Sequence, residues 1–118
     1  MSQLQLNLLA RIDAPSVVPS DQIGSVKDYR EAVRLCWAHR RSSGMTRKTL
    51  SEITGMRACL IVDYLDASAL SRNKVERRDM PAKYIKVFEA VCGNTFVSQF
   101  IAYQAQLTVL ESLSMRAA

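Results

Sequence analysis

Residues 46–65, TRKTLSEITGMRACLIVDYL, constrain the fold of this chain more than any other stretch. Thr46 opens it, and a threonine hydroxyl can accept from a backbone N–H of the first helical turn. Leu50 and Ile53 follow at helical spacing and predict a short helix with that pair turned inward. Gly55 then supplies the backbone freedom of a tight turn. Met56 is an apolar anchor just beyond it, and Ile61, Tyr64 and Leu65 resume a helical period from about Arg57 to Asp66. The prediction is two short helices crossing closely, with the small Ser51 at the crossing.

Helical spacing also dominates the flanks. Val26, Tyr29, Val33, Cys36 and Trp37 form one stripe. Ser25 and Asp28 resemble a cap at its start, and Gly44 marks its end. Arg30, Arg34, Arg40 and Arg41 fall on other faces or beyond the end of that helix. Residues 67–80 read as a polar, basic connection. Pro81 fits the first turn of a further helix, whose buried face is Ala82, Ile85, Phe88, Val91 and Cys92. Gly93 and Asn94 end it, and a last helix runs from Thr95 to about Leu113. That helix is apolar on more than one side, which suits either a central buried helix or a dimer interface. The dimer reading uses Phe96, Phe100, Tyr103, Leu107 and Leu110. At the other end, Leu4, Leu6 and Leu8 alternate with Gln3, Gln5 and Asn7 in a strand-like period, so residues 1–24 read as an extended arm. Such an arm would pair across a dimer or pack on its own domain. The expected class is all-α, with five helices. An arm (1–24) precedes a helical domain (25–93), and a C-terminal helix (94–118) serves packing or dimerisation.

With 118 residues and 48% apolar content, the chain can bury one core. The net charge is +5, which favours anionic partners. Residues 40–86 hold eleven Lys/Arg against five Asp/Glu, so the basic excess sits around the paired helices. No apolar run reaches the roughly 18 residues of a membrane span. The N-terminus lacks a basic start followed by a long apolar block, so no secretory signal is expected. Cys36, Cys59 and Cys92 are far apart, His39 is the only histidine, and no CxxC pair exists. A metal site is therefore not expected, and free thiols suit a reducing cytoplasm. No phosphate loop, paired carboxylates or Cys–His arrangement proposes a reaction, so neither an enzyme nor a cofactor is expected.

On Thr46, Leu50, Ser51, Gly55, Met56, Ile61 and Tyr64, residues 26–92 resemble the helix-turn-helix domain of the lambda-repressor/Cro-like superfamily. Cys92, Gly93, Asn94 and Thr95, leading into a long helix, are similar to small prophage-type regulators. The resemblance implies a transcriptional regulator, a repressor that binds duplex DNA as a homodimer. It implies base contacts from Arg57, Ala58, Cys59 and Asp63. It implies phosphate contacts from Arg41, Thr46, Arg47 and Lys48, and from Arg72, Lys74, Arg77 and Arg78 in the loop that follows. Arg57 would pair with guanine and Asp63 with cytosine. The sequence departs from the family's polar groove-facing residues at Ala58, Cys59, Leu60 and Val62. Such a face meets bases only through the thymine methyl group. It also suits a protein-interaction module, an antitoxin or inhibitor, that docks through the third and fifth helices of this reading.

Overall fold

A computed structural model describes residues 16–68, 70 and 74–117 of the chain. Six α-helices follow one another among them: α1 (Ser20–Gly24), α2 (Tyr29–Ala38), α3 (Arg47–Thr54), α4 (Ala58–Leu65), α5 (Ile85–Cys92) and α6 (Phe96–Ala117). A 3-10 turn, Ala82–Tyr84, leads into α5. The only β pairing among the described residues is two isolated bridges, Ser16 with Asn94 and Leu70 with Glu76. The chain is mainly helical, with one short helix, α1, more than the sequence pattern suggested.

Local chemistry sets the helix ends. The α2 helix starts at Asp28, whose carboxylate accepts from the Glu31 N–H at 2.8 Å. Ser25 instead closes α1 by donating to the Gln22 carbonyl. The α2 helix stops at Ala38, well before Gly44, because Arg40 folds the chain back. Its guanidinium donates to the carbonyls of Trp37, Ser43 and Met45 and lies 4.3 Å from the centre of the Trp37 ring. Thr46 caps α3 by accepting from the Thr49 N–H. The α6 helix is capped from a neighbouring element: the buried Glu89 carboxylate accepts from the Ser98 N–H at 2.9 Å and from the Ser98 hydroxyl. A carboxylate there also complements the positive end of the helix dipole.

One core joins all six helices. Val33 and Cys36 of α2, Leu50 of α3, Ile61 of α4, Phe88 and Cys92 of α5, and Val97 of α6 are the most deeply buried. Of the two arrangements expected for the arm, its described end, residues 16–24, packs on the chain's own helices. Ser16 donates to the Gly93 carbonyl and accepts from the Thr95 N–H. The Gln99 side-chain amide closes on both backbone groups of Val18, at 2.8 and 2.9 Å. Val18 and Ile23 are buried, so residues 16–24 belong to the helical domain. The strand-like alternation of Leu4, Leu6 and Leu8 lies outside the described residues.

The α6 helix divides the two roles expected of it. Phe96, Val97 and Phe100 are buried and Tyr103 is half-buried. From Gln104 to Arg116 every residue is exposed. Phe96 and Phe100, expected on a dimer face, instead fill the chain's own core. Leu107 and Leu110 remain outside, with Val109, Leu113 and Met115 beside them. Among the described residues, no helix is long and apolar enough to cross a membrane.

Candidate nucleic-acid interface

The α3–α4 pair is locked at its turn, Gly55, Met56 and Arg57. Gly55 adopts a left-handed φ of 77° and donates its N–H to the Ser51 carbonyl. The Ser51 hydroxyl donates to the Met56 carbonyl at 2.6 Å. Thr54 donates to the Leu50 carbonyl at 2.7 Å and accepts from the Met56 N–H at 3.2 Å. The hydroxyl thus ties off the turn where a larger apolar residue would only have packed. Met56 is buried beneath it together with Leu50, Ile61 and Tyr64. Ile53, expected to face the core, is 56% exposed.

The residues expected to meet DNA fall into three groups. Arg47 and Lys48 are exposed in the first turn of α3, and Arg57 is exposed as the N-cap residue of α4. Ala58 and Cys59 follow on the exposed start of α4, and Val62 is 44% exposed one turn later. Thr46 is exposed, with its hydroxyl engaged at the α3 cap. This first group lies on the helix pair itself. Lys74 and Arg78 form a second group, exposed in the connection between α4 and α5. Arg72 lies outside the described residues.

The third group is drawn into intramolecular contacts. Asp63 and Arg77, assigned to a base and a phosphate from sequence, bind one another at 2.9 Å. The second guanidinium nitrogen of Arg77 lies 3.4 Å from Asp66, and the Arg77 side chain is only 15% exposed. Arg41 belongs elsewhere. Its N–H donates to the Cys92 carbonyl at 2.7 Å, and its side chain packs over Gly93.

Arg30, which the sequence pattern placed only off the apolar stripe of its helix, organises this region. One guanidinium nitrogen donates to the carbonyls of Asp63 and Asp66 at the C-terminal end of α4. The other donates to the carbonyls of Arg77 and Arg78 and pairs with Asp79 at 3.2 Å. A cation at a helix C-terminus satisfies orphan carbonyls and complements the dipole. Arg30 therefore fastens the basic connection to α4. Its partners lie 33 to 49 residues away in sequence, so no local signal announces them.

The titratable groups follow these contacts. A hydrogen bond from the Ser68 N–H holds the Asp66 carboxyl below the usual range, with Arg77, Arg30 and Arg47 adding to it. Burial pushes the Tyr29 phenol up to about 12, and its hydroxyl donates to the Met80 carbonyl at 2.7 Å. The Cys36 thiol is pushed well up by a hydrogen bond with Cys92 and by burial. Among the described residues, no three His, Cys, Asp or Glu side chains gather where they could hold a metal ion. No protein-family model, no curated protein and no solved structure matches this chain.

Proposed function

We propose that this chain is a sequence-specific duplex-DNA-binding regulator of transcription, acting as a repressor that occupies its operator as a homodimer. The observation that carries this reading is the exposure of Arg47 and Lys48 at the start of α3 and of Arg57 at the start of α4, in a chain with net charge +5. Phosphate contacts from those side chains supply affinity by displacing counterions. Thr46 and the first turn of α3 orient the domain on the backbone, while the start of α4 meets base edges. Lys74 and Arg78 extend the phosphate track. Asp63 and Arg77 serve this reading by holding the connection against α4.

The outer half of α6 supports the dimer. No Lys or Arg occurs in residues 87–115, so two copies meet there without opposing their basic faces. A two-fold pair buries Leu107, Val109, Leu110 and Leu113 on each side, and stable interfaces need on the order of 1,000 Å² in total. Two-fold symmetry places half-sites about 34 Å apart, one helical turn.

Selection from a random duplex library at near-physiological salt tests the reading. The expected result is an enriched sequence with two related half-sites. Salt-sensitive retention without enrichment overturns sequence reading. It transfers the case to a protein-interaction module, which the exposure of Ile53 and Val62 favours.

A further inference from the structure

We infer that α4 selects its duplex mainly by apolar contact with thymine 5-methyl groups in the major groove, with Ala58, Cys59 and Val62 as the reading residues. The inference rests on the DNA-binding reading above and names the base feature that this site takes. Three observations carry it. First, α4 presents to solvent a small apolar surface: Ala58 and Cys59 are exposed, Val62 is 44% exposed, and Leu60 is half-buried. A thiol is a weak donor, so this surface has almost no hydrogen-bonding capacity.

Second, the carboxylate best placed by sequence to accept from a base already spends one oxygen on an intramolecular ion pair. Asp63 accepts from Arg77 at 2.9 Å, and its backbone carbonyl accepts from Arg30. Breaking that pair to reach cytosine would leave the largely buried Arg77 without one of its two carboxylate partners. Tyr64, the other polar side chain of this turn, is buried. Third, charge complementarity points to a polyanion as the occupant of this apolar face. Arg57 adjoins it at the N-cap, and Arg47 and Lys48 stand on the paired helix. An apolar protein surface offers nothing to those three cations, whereas phosphates flanking a groove do.

The groove presents hydrogen-bonding patterns and one apolar feature, the thymine methyl. A face without donors or acceptors distinguishes only that feature. The small side chains of Ala58 and Cys59 also let the helix start lie close to the base edges, and Val62 then reaches a methyl one turn further along. Arg57 remains the single hydrogen-bonding reader and would add at most one guanine per half-site. The consensus should therefore hold thymines on either strand beneath α4, next to at most one such guanine.

The test uses the full chain and the duplex enriched by selection. Each thymine is replaced in turn by deoxyuridine, which removes only the methyl group. At the positions under α4, binding should weaken roughly fourfold for each methyl lost, the equivalent of one buried CH₂. Replacing the same T·A pair by 5-methylcytosine·G, which keeps the methyl, should retain more affinity than unmethylated C·G. Val62→Ala should abolish the uracil effect at one position while leaving the effect at others. An enriched sequence indifferent to uracil overturns the methyl-reading inference and leaves the regulator reading standing. Failure to enrich any sequence overturns both.

Discussion

Gly55 and Gly93 both adopt left-handed backbone angles, with φ of 77° and 82°, yet their surroundings differ. A Cβ on Gly55 would meet nothing within 4 Å, whereas one on Gly93 would lie 2.9 Å from Arg41 Nε and 3.0 Å from Arg41 Cβ. Gly55→Ala should therefore cost about 1–2 kcal/mol from backbone strain alone. Gly93→Ala should cost more, because Arg41 must also move, and urea denaturation of the two variants measures the difference. Tyr29 makes a pH-dependent prediction. A phenol whose folded pKa is raised contributes stability that is fully present below its unfolded value of 10.0. That contribution is lost as pH rises towards about 12. Tyr29→Phe should lower stability at pH 7 by about 1 kcal/mol, through the unpaired Met80 carbonyl. The variant should also show a smaller further loss between pH 10 and 12 than the parent, read from denaturation midpoints across that range. Neither the Gly93 contact nor the Tyr29 bond is legible in sequence. The glycine's place at a helix end is legible, but the side chain packed over it comes from 52 residues earlier, at Arg41.

At the scale of elements, α4 depends on a fastening that comes from α2. Arg30→Ala removes a cation from four carbonyls and from Asp79. Charge-assisted bonds of this kind make the expected loss about 3 kcal/mol. Arg30→Lys should recover only part of it, because an ammonium cannot fork between two pairs of carbonyls. Chemical denaturation gives both values, and equal stability of the lysine variant and the parent would show that the fork is dispensable. Asp66 sets an acid-side window for the same junction. Its carboxyl is held below 3.8, so its contribution is present above that value and fades as pH falls below it. Following its titration by NMR in the parent and in Arg77→Ala should show the carboxyl moving back towards 3.8 in the variant. The two short helices, Gly55, Met56 and the burial of Leu50, Ile61 and Tyr64 were legible because each rests on near neighbours in sequence. The pairing of Asp63 with Arg77 was not. Arg77 carries the charge that phosphate contact asks for and Asp63 an acceptor that a base could use, and only the path of the connection brings them together.

The whole molecule has two surfaces of opposite character, a basic one around α3 and α4 and a nearly uncharged one along the outer half of α6. Leu110→Asp with Leu113→Asp should leave the fold intact, since both side chains are more than half exposed. If the proposed dimer forms through this face, the double variant should sediment as a monomer at micromolar concentrations where the parent sediments as a dimer. It should also bind an isolated half-site as the parent does. Unchanged association would remove the α6 face from the dimer. The α6 helix also shows where sequence reasoning reaches its limit. Its apolar residues on several sides were evident, but one continuous pattern served two purposes. Phe96, Val97 and Phe100 lie against the body of the chain, whereas Leu107, Leu110 and Leu113 lie beyond its edge. The amino-acid sequence by itself determined the helical class, the turn at Gly55, the cap at Thr46 and the placement of basic charge, because these depend on spacing over a few residues and on composition. Only the tertiary structure decided that Arg30 is a fastening and that Asp63 is paired with Arg77. It also decided that residues 16–24 belong to the domain and that α6 outruns its core, because those outcomes depend on which distant segments meet, and local periodicity carries no term for that.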